Sequence, residues 1–277
     1  MRDLLLSGYI PRDSKIEPLT GGRTNHVWRI ISSESDQVLK LYRLGAKNPL
    51  FPNEPESEIS CLTALSGLGL APRFIESGIN SDGRWLLYEH VAGPVWSREV
   101  AQVAQLLARV HHIQAPLCSR LGANGSTDIF NQTCAILDLC QSKRRDRILT
   151  LTPTQYVPPT ARLRLIHADP VPGNIVLNSH RAMLIDWQCP AFGDPAEDLA
   201  VFLSPAMQML YRGFVLTKSE KQTFLAAYPD RAVVDRYQDL ESWFHWRMAA
   251  YCLWQTEQGN KDYAAGLELE LSQITIR

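Results

Sequence analysis

Residues 165–177, L-I-H-A-D-P-V-P-G-N-I-V-L, place Asp169 and Asn174 among apolar residues, and residues 183–187, M-L-I-D-W, add Asp186. The polar Asn178-Ser179-His180-Arg181 separates two apolar runs, so residues 175–177 and 183–185 are predicted to pair as an antiparallel hairpin. Asn174 then enters the first strand and Asp186 leaves the second, which brings the two side chains together at the open end. An amide oxygen beside a carboxylate suits Mg²⁺, a hard cation that takes few protein ligands and completes its octahedron with phosphate and water. Asp169 falls on the loop facing the same point, where a carboxylate can orient a hydroxyl and accept its proton. A loose phosphoryl-transfer transition state asks little more of a base. His167 reads as a brace for this loop rather than as a proton donor.

Such a hairpin needs a scaffold. Residues 27–31 and 37–42 are β-branched or aromatic runs split by a polar turn, and residues 84–88 form a further strand-like run. Between them Ile59, Leu62 and Leu65 recur at helical spacing, with Asn53 or Glu54 as cap, Pro55 in the first turn, and Gly67 and Gly69 at the end. After Ala92-Gly93-Pro94 the pattern turns helical, with Val100, Val103, Ala104, Leu107 and Val110 on one stripe. A β-rich unit over residues 1–91 and a mainly helical unit over 92–277 are therefore expected. The periodicity of residues 117–160 is broken by Gly122, Gly125 and Pro158-Pro159, and helices and loops are expected there. From Val201 onward the chain reads as mostly helical. Asp194, Pro195 and Glu197 resemble a helix start, with Asp194 as the cap. His111, four residues after Leu107, reads as a core histidine.

Bulk properties narrow the partners. A chain of 277 residues can bury a large core as one domain or two lobes. Its 28 basic and 29 acidic side chains nearly cancel, so no global field draws in nucleic acid or an anionic membrane, and a small partner is expected. The Leu run at residues 4–6 is too short for a secretory leader and no stretch approaches a membrane span, so a cytoplasmic location is expected. Six cysteines show no C-x-x-C pair and no metal-ligand spacing, which predicts reduced thiols.

The order H-x-D-x4-N followed by I-D-W resembles the aminoglycoside phosphotransferase and choline kinase family, relatives of the protein kinases, and the likeness extends along most of the chain. It implies an α+β, two-lobed protein-kinase-like fold with a small β-rich N-lobe and a larger, mainly helical C-lobe. The implied activity is ATP- and Mg²⁺-dependent transfer of a phosphoryl group to a hydroxyl. Residues 19–25 resemble the family's nucleotide-covering loop, which assigns Gly21, Gly22, Thr24 and Asn25 to the nucleotide. Val38-Leu39-Lys40 resembles the strand with the ATP lysine, and Glu58, on an inward helical face, is its implied partner. Residues 88–91 fall where the inter-lobe hinge holds adenine by its backbone, at Glu89 and Val91. Asp169 is the implied base, and Asn174 and Asp186 are the implied metal ligands. Residues 193–200 resemble the family's G-D-P-x-x-D-L-A, in which Asp198 props the catalytic loop together with His167.

The departures are equally informative. Asp186-Trp187-Gln188 is followed almost at once by Gly193-Asp194-Pro195, leaving little room for a peptide-docking platform, and the arginine of H-R-D is absent. Many relatives carry Glu where this chain has Gln188. Trp243, Trp246 and Trp254 fall near one helical face, as a core stripe would; alternatively some of these rings face the cleft and stack on a cationic head group, with Asp239, Glu241 and Glu257 adding negative charge. Three functions are weighed: a kinase of a small amino alcohol of the choline, ethanolamine or thiamine kind; an aminoglycoside-type phosphotransferase, which calls for an acidic open cleft; and a non-catalytic nucleotide-binding module. The last is disfavoured because lysine, base and both metal ligands are all present.

Overall fold

The computed structural model describes residues 9–19, 24–43, 45, 47–114, 117–178 and 181–274. Five strands, β1 (Lys15–Pro18), β2 (His26–Ile31), β3 (Asp36–Leu41), β4 (Phe74–Asn80) and β5 (Gly83–Glu89), form an antiparallel sheet in the order β1-β2-β3-β5-β4. The tight turn between β2 and β3 is held by Ser32, whose hydroxyl accepts the Ser35 amide, and by the ion pair Arg29–Asp36. Alternation along β3 fixes which side chains meet which layer. Leu39 joins Ile30, Trp85, Leu87 and Ile10 on one face of the sheet, whereas Val38 and Tyr42 join the main core on the other. Lys40 lies in register with Val38 and Tyr42, which aims its ammonium at α1 (Pro55–Leu65).

The remaining chain is mainly helical. In chain order it forms α2 (Val100–His111), α3 (Ser126–Asp138), α4 (Arg144–Thr150), β6 (Arg164–Ile166), β7 (Ile175–Leu177), β8 (Ala182–Leu184), β9 (Ala191–Gly193), α5 (Ala196–Leu203), α6 (Pro205–Arg212), α7 (Lys218–Ala227), α8 (Arg231–Glu257) and α9 (Tyr263–Leu271). The 27-residue α8 is packed by α3, α4, α5 and α9, so it buries residues on several sides instead of one stripe. Its polar residues inside are paired: Arg247 with Glu197 at 3.1 Å, and His245 with Glu270 at 2.5 Å. No helix among the described residues is long and apolar enough to cross a membrane. All six cysteines are free thiols.

Several local expectations need correcting. Glu54 occupies the N-cap of α1, but neither it nor Asn53 caps the helix with its side chain: Glu54 accepts the Ser57 hydroxyl, and Asn53 turns to Asn25. Pro195, not Asp194, occupies the N-cap of α5; Asp194 stands one residue earlier and accepts the Ala196 amide, and no side chain caps the helix, the Glu197 carboxylate pairing with Arg247. Strands β1 and β4 and the β6–β9 pair lie outside the strands expected from the sequence. The first is four mostly polar residues, the second is interrupted by Gly78, and the pair is three residues long on each side. Short or interrupted strands of this kind exist by virtue of their partners, which single-chain alternation does not register.

Candidate active site

The hairpin of β7 and β8 pairs Ile175 with Leu184 and Leu177 with Ala182, and the Ile185 amide donates to the Asn174 carbonyl at 2.9 Å. Asn174 and the residue before Asp186 are thus directly opposed, and the two proposed metal ligands emerge from adjacent ends. Asn174 Nδ2 donates to the Asp169 carbonyl at 2.9 Å and to its carboxylate at 3.2 Å. That bonding turns Asn174 Oδ1 away from the loop. Lys40 Nζ reaches across from the sheet, donating to Glu58 at 2.6 Å and to Asp186 Oδ1 at 2.5 Å. The Tyr42 hydroxyl donates to the same Glu58 oxygen at 2.5 Å.

Electrostatics follow from this packing. Burial works against the charged form of Lys40, but the Asp186 and Glu58 carboxylates outweigh it and raise its pKa, so the ammonium is retained. Burial lifts Glu58 above the ordinary range, with Lys40 opposing. Asp169 is pushed well up, first by burial and then by Asp186. His167 is pushed down by burial.

The loop carrying Asp169 is held from below. Asp198, fully buried, accepts the His167 amide at 2.9 Å, the Ala168 amide at 2.7 Å and His111 Nε2 at 3.0 Å. His167 Nε2 meets the Ile185 carbonyl at 3.0 Å. These bonds keep Ala168 at φ +64° and sit next to Asp186 at φ +61°, left-handed backbone that L-residues adopt only under constraint. His111, expected only to fill core, also bonds the Tyr228 hydroxyl and is part of this bracing.

The segment after β5 lies on the same hairpin. Gly93 adopts φ +141°, and a Cβ there would come within 2.1 Å of the Leu177 carbonyl oxygen, so only glycine permits this approach. The Glu89 amide is bonded to the Arg73 carbonyl and the His90 amide to the Asp36 carbonyl, whereas the Val91 amide has no partner among the described residues. The Glu89 carboxylate pairs with Arg73 on the exterior.

Two cavities adjoin these elements. The larger, about 810 Å³, runs along residues 89–94 and touches Met183 but none of Lys40, Asp169, Asn174 or Asp186. The smaller, about 430 Å³, contains Asp169, Gln188, Tyr251 and Trp254. The first is the larger, and the second is the one that Asp169 lines.

Three sequence assignments change. Asn25 does not face a nucleotide with a free side chain: its Nδ2 donates to Asn53 and to Gln188, each at 2.9 Å, and its Oδ1 accepts from Asn53 and the Arg43 amide. Thr24 lines the Asp169 cavity. Trp246 is fully buried with its indole on the Ile148 carbonyl, and Trp243, 6% exposed, bonds the Gln155 carbonyl and borders a different cavity, so only Trp254 remains at the cleft. Glu241 is taken by Lys221 and Glu257 by two backbone amides, and neither acidifies the cleft. Gly21 and Gly22 lie outside the described residues.

The donor set suits Mg²⁺ better than a protein-caged metal: one carboxylate with a free oxygen and one amide oxygen, with no cluster of three or more His, Cys, Asp or Glu able to hold an ion among the described residues.

A sheet-rich N-terminal region, a helical C-terminal region and this hairpin-borne constellation define a protein-kinase-like fold of the phosphotransferase class. The chain belongs to the phosphotransferase enzyme family, whose pattern matches residues 15–237. Among solved structures it resembles a choline/ethanolamine kinase family protein from Mesorhizobium loti, at 16% identity over 98% of this chain and 91% of that one, with a TM-score of 0.67. It also resembles choline kinase from Cryptosporidium parvum, at 13% identity over 98% and 96% of the two chains and a TM-score of 0.63. A thermostable mutant of an aminoglycoside phosphotransferase in ternary complex with AMP-PNP and hygromycin B is similar at 14% identity, over 98% and 96%, with a TM-score of 0.64. Among curated proteins no significant match is found.

Proposed function

We propose that this protein is an ATP- and Mg²⁺-dependent small-molecule kinase that moves the γ-phosphoryl group of ATP onto an acceptor hydroxyl. The observation that supports it most is one connected constellation, in which Lys40 bridges Glu58 and Asp186 while Asn174 bonds Asp169 beside it. Residues 1–91 then serve as the nucleotide lobe and 92–277 as the catalytic and acceptor lobe. The base of the nucleotide lies along residues 89–91, where the Val91 amide has a hydrogen bond to give. Lys40, kept charged by its two carboxylates, holds phosphate oxygens. Asn174 Oδ1 and the free Asp186 oxygen hold Mg²⁺, which supplies charge neutralisation of the phosphates when bound. Asp169 orients the acceptor hydroxyl and accepts its proton as the new O–P bond forms. Its elevated proton affinity suits that task, and a cation beside Asp186 counters the part that Asp186 contributes.

Of the acceptor classes expected from the sequence, a polycationic aminoglycoside finds little support. Among the described residues the Asp169 cavity is lined by one carboxylate, Asp169 itself, and two cations, Arg43 and Lys47. The amino-alcohol reading has Trp254 and Tyr251 in its favour, since aromatic faces can hold a cation. A coupled ADP-release screen tests the kinase reading, with Mg-ATP and Mg-GTP as donors and amino alcohols, aminoglycosides, thiamine, sugars and sugar acids as acceptors. Acceptor-dependent release abolished by Asp169→Ala is expected; nucleotide binding without turnover for any acceptor supports the non-catalytic module instead.

A further inference from the structure

The hydrogen-bond polarity of the Asp169 cavity can be worked out atom by atom. The Arg43 backbone N–H can only donate, so the atom of Asn25 that receives it is Oδ1, and Asn25 Nδ2 must donate. The Gln188 atom facing that Nδ2 at 2.9 Å is consequently Oε1. Gln188 Nε2, two donors on a side chain that lines the cavity, has no partner among the described residues.

The Tyr251 hydroxyl on the same wall is already held, by Asn48 Nδ2 at 2.9 Å, Asn48 Oδ1 being taken by the Leu50 and Phe51 amides, and by the Gln255 amide at 2.5 Å. Arg43 and Lys47 border the same cavity and pair with no carboxylate among the described residues. The charged side chains described on this wall are therefore two cations and a single carboxylate, Asp169, that the transfer step already occupies.

We propose that the acceptor alcohol carries an oxyanion, a carboxylate or a phosphate ester, held by Arg43, Lys47 and Gln188 Nε2 opposite Asp169. This rests on the kinase reading above and specifies its substrate class. A cationic head group on Trp254 would leave the Gln188 amide donors unsatisfied and meet two like charges, and like-charge juxtaposition is what excludes wrong partners.

The test uses the full chain with Mg-AMP-PNP bound for affinity and Mg-ATP for transfer. Gluconate, sorbitol and N-methylglucamine share a polyol chain and differ in charge; glycerate, glycerol and aminopropanediol repeat the comparison on a shorter one. Glucose phosphate and glycerol phosphate form the phosphate arm, and choline and ethanolamine the amino-alcohol arm. At least one anion is expected to bind about tenfold or more tighter by calorimetry than its neutral and cationic counterparts and to receive phosphate; the carboxylate and phosphate arms tell the two sources apart. The double variant Arg43→Glu, Lys47→Glu is expected to raise the KM for that anion about tenfold or more, with a smaller effect on the KM for ATP. Gln188→Glu keeps an oxygen for Asn25 and replaces the donor by a carboxylate, so it is expected to raise the same KM while leaving the melting temperature close to that of the parent.

Equal or tighter binding of the cations overturns the inference, as does the absence of any anion that binds or is phosphorylated. So does a charge reversal felt mainly in the KM for ATP. Each of these leaves the kinase reading standing; failure to bind Mg-ATP, with no ADP release for any acceptor, sinks that reading itself.

Discussion

Lys40 is 2% exposed yet holds a positive charge, because Glu58 and Asp186 together outweigh the penalty of burial. Residues in such a cluster fail in different ways when removed. Asp169→Ala deletes the candidate base and is expected to lower kcat by about 10²-fold or more with Mg-ATP affinity largely kept. Asp186→Ala removes a proposed metal ligand and a partner of Lys40, and is expected to weaken Mg-ATP binding itself; calorimetry with AMP-PNP separates the two. The tryptophans divide similarly. Trp246→Phe loses the bond to Ile148 and should lower stability by about 1–3 kcal/mol with little change in acceptor KM. Trp254→Ala should raise the acceptor KM with little change in melting temperature; the opposite pattern would return Trp246 to the cleft.

Elements place these residues by bonds that bridge distant parts of the chain. The Asp169 loop is irregular up to the 3-10 turn Pro172–Asn174, and its shape depends on Asp198 at the head of α5 accepting two loop amides and His111 from α2. Asp198→Ala strands three buried donors and is expected to cost about 3 kcal/mol or more, read as a fall in melting temperature or chemical midpoint, together with a loss of kcat. Asp198→Asn, which keeps an acceptor oxygen, should recover part of both. Equal stability of the alanine variant and the parent would show that the loop holds its conformation unaided. The motif at residues 193–200 was visible as a helix start, and Asp194 does accept an amide there. The destination of Glu197 was not, since Arg247 lies fifty residues away and nothing local links the two.

Across the whole molecule, α8 binds the helical region together through charges in its interior. His245 lies 2.5 Å from Glu270 and 3.7 Å from Glu241. Burial opposes its charge, but Glu270 and Glu241 prevail and raise its pKa to about 9. A histidine with a folded-state pKa above its unfolded value binds protons more tightly when folded, so its contribution is complete below about pH 6.5 and fades as pH rises toward 9. Glu241 is lowered to about 2, burial being overcome by His245 and Lys221, and its contribution is lost as pH falls from about 4.5 toward 2. Melting temperature is therefore expected to fall on both limbs, with an alkaline loss on the order of 3 kcal/mol between pH 6.5 and 9 that His245→Gln removes. A flat profile across that alkaline range in the parent protein would contradict the pairing.

Local chemistry determined what could be read without coordinates: the alternation of β2, β3 and β5, the stripes of α1 and α2, and a turn flanked by strands that had to bring Asn174 and Asp186 to one end. Those features depend on neighbours within a few residues, where sequence order and spatial order coincide. The tertiary structure decided the rest. Trp246 is core and Trp254 is cleft although both lie on α8, because the sides of a helix are distinguished only by what packs against them. Asn25 became a tie to Gln188 because residues 163 positions apart were brought within 2.9 Å, and the direction in which the Gln188 amide presents its donors to the Asp169 cavity exists only once that contact is made.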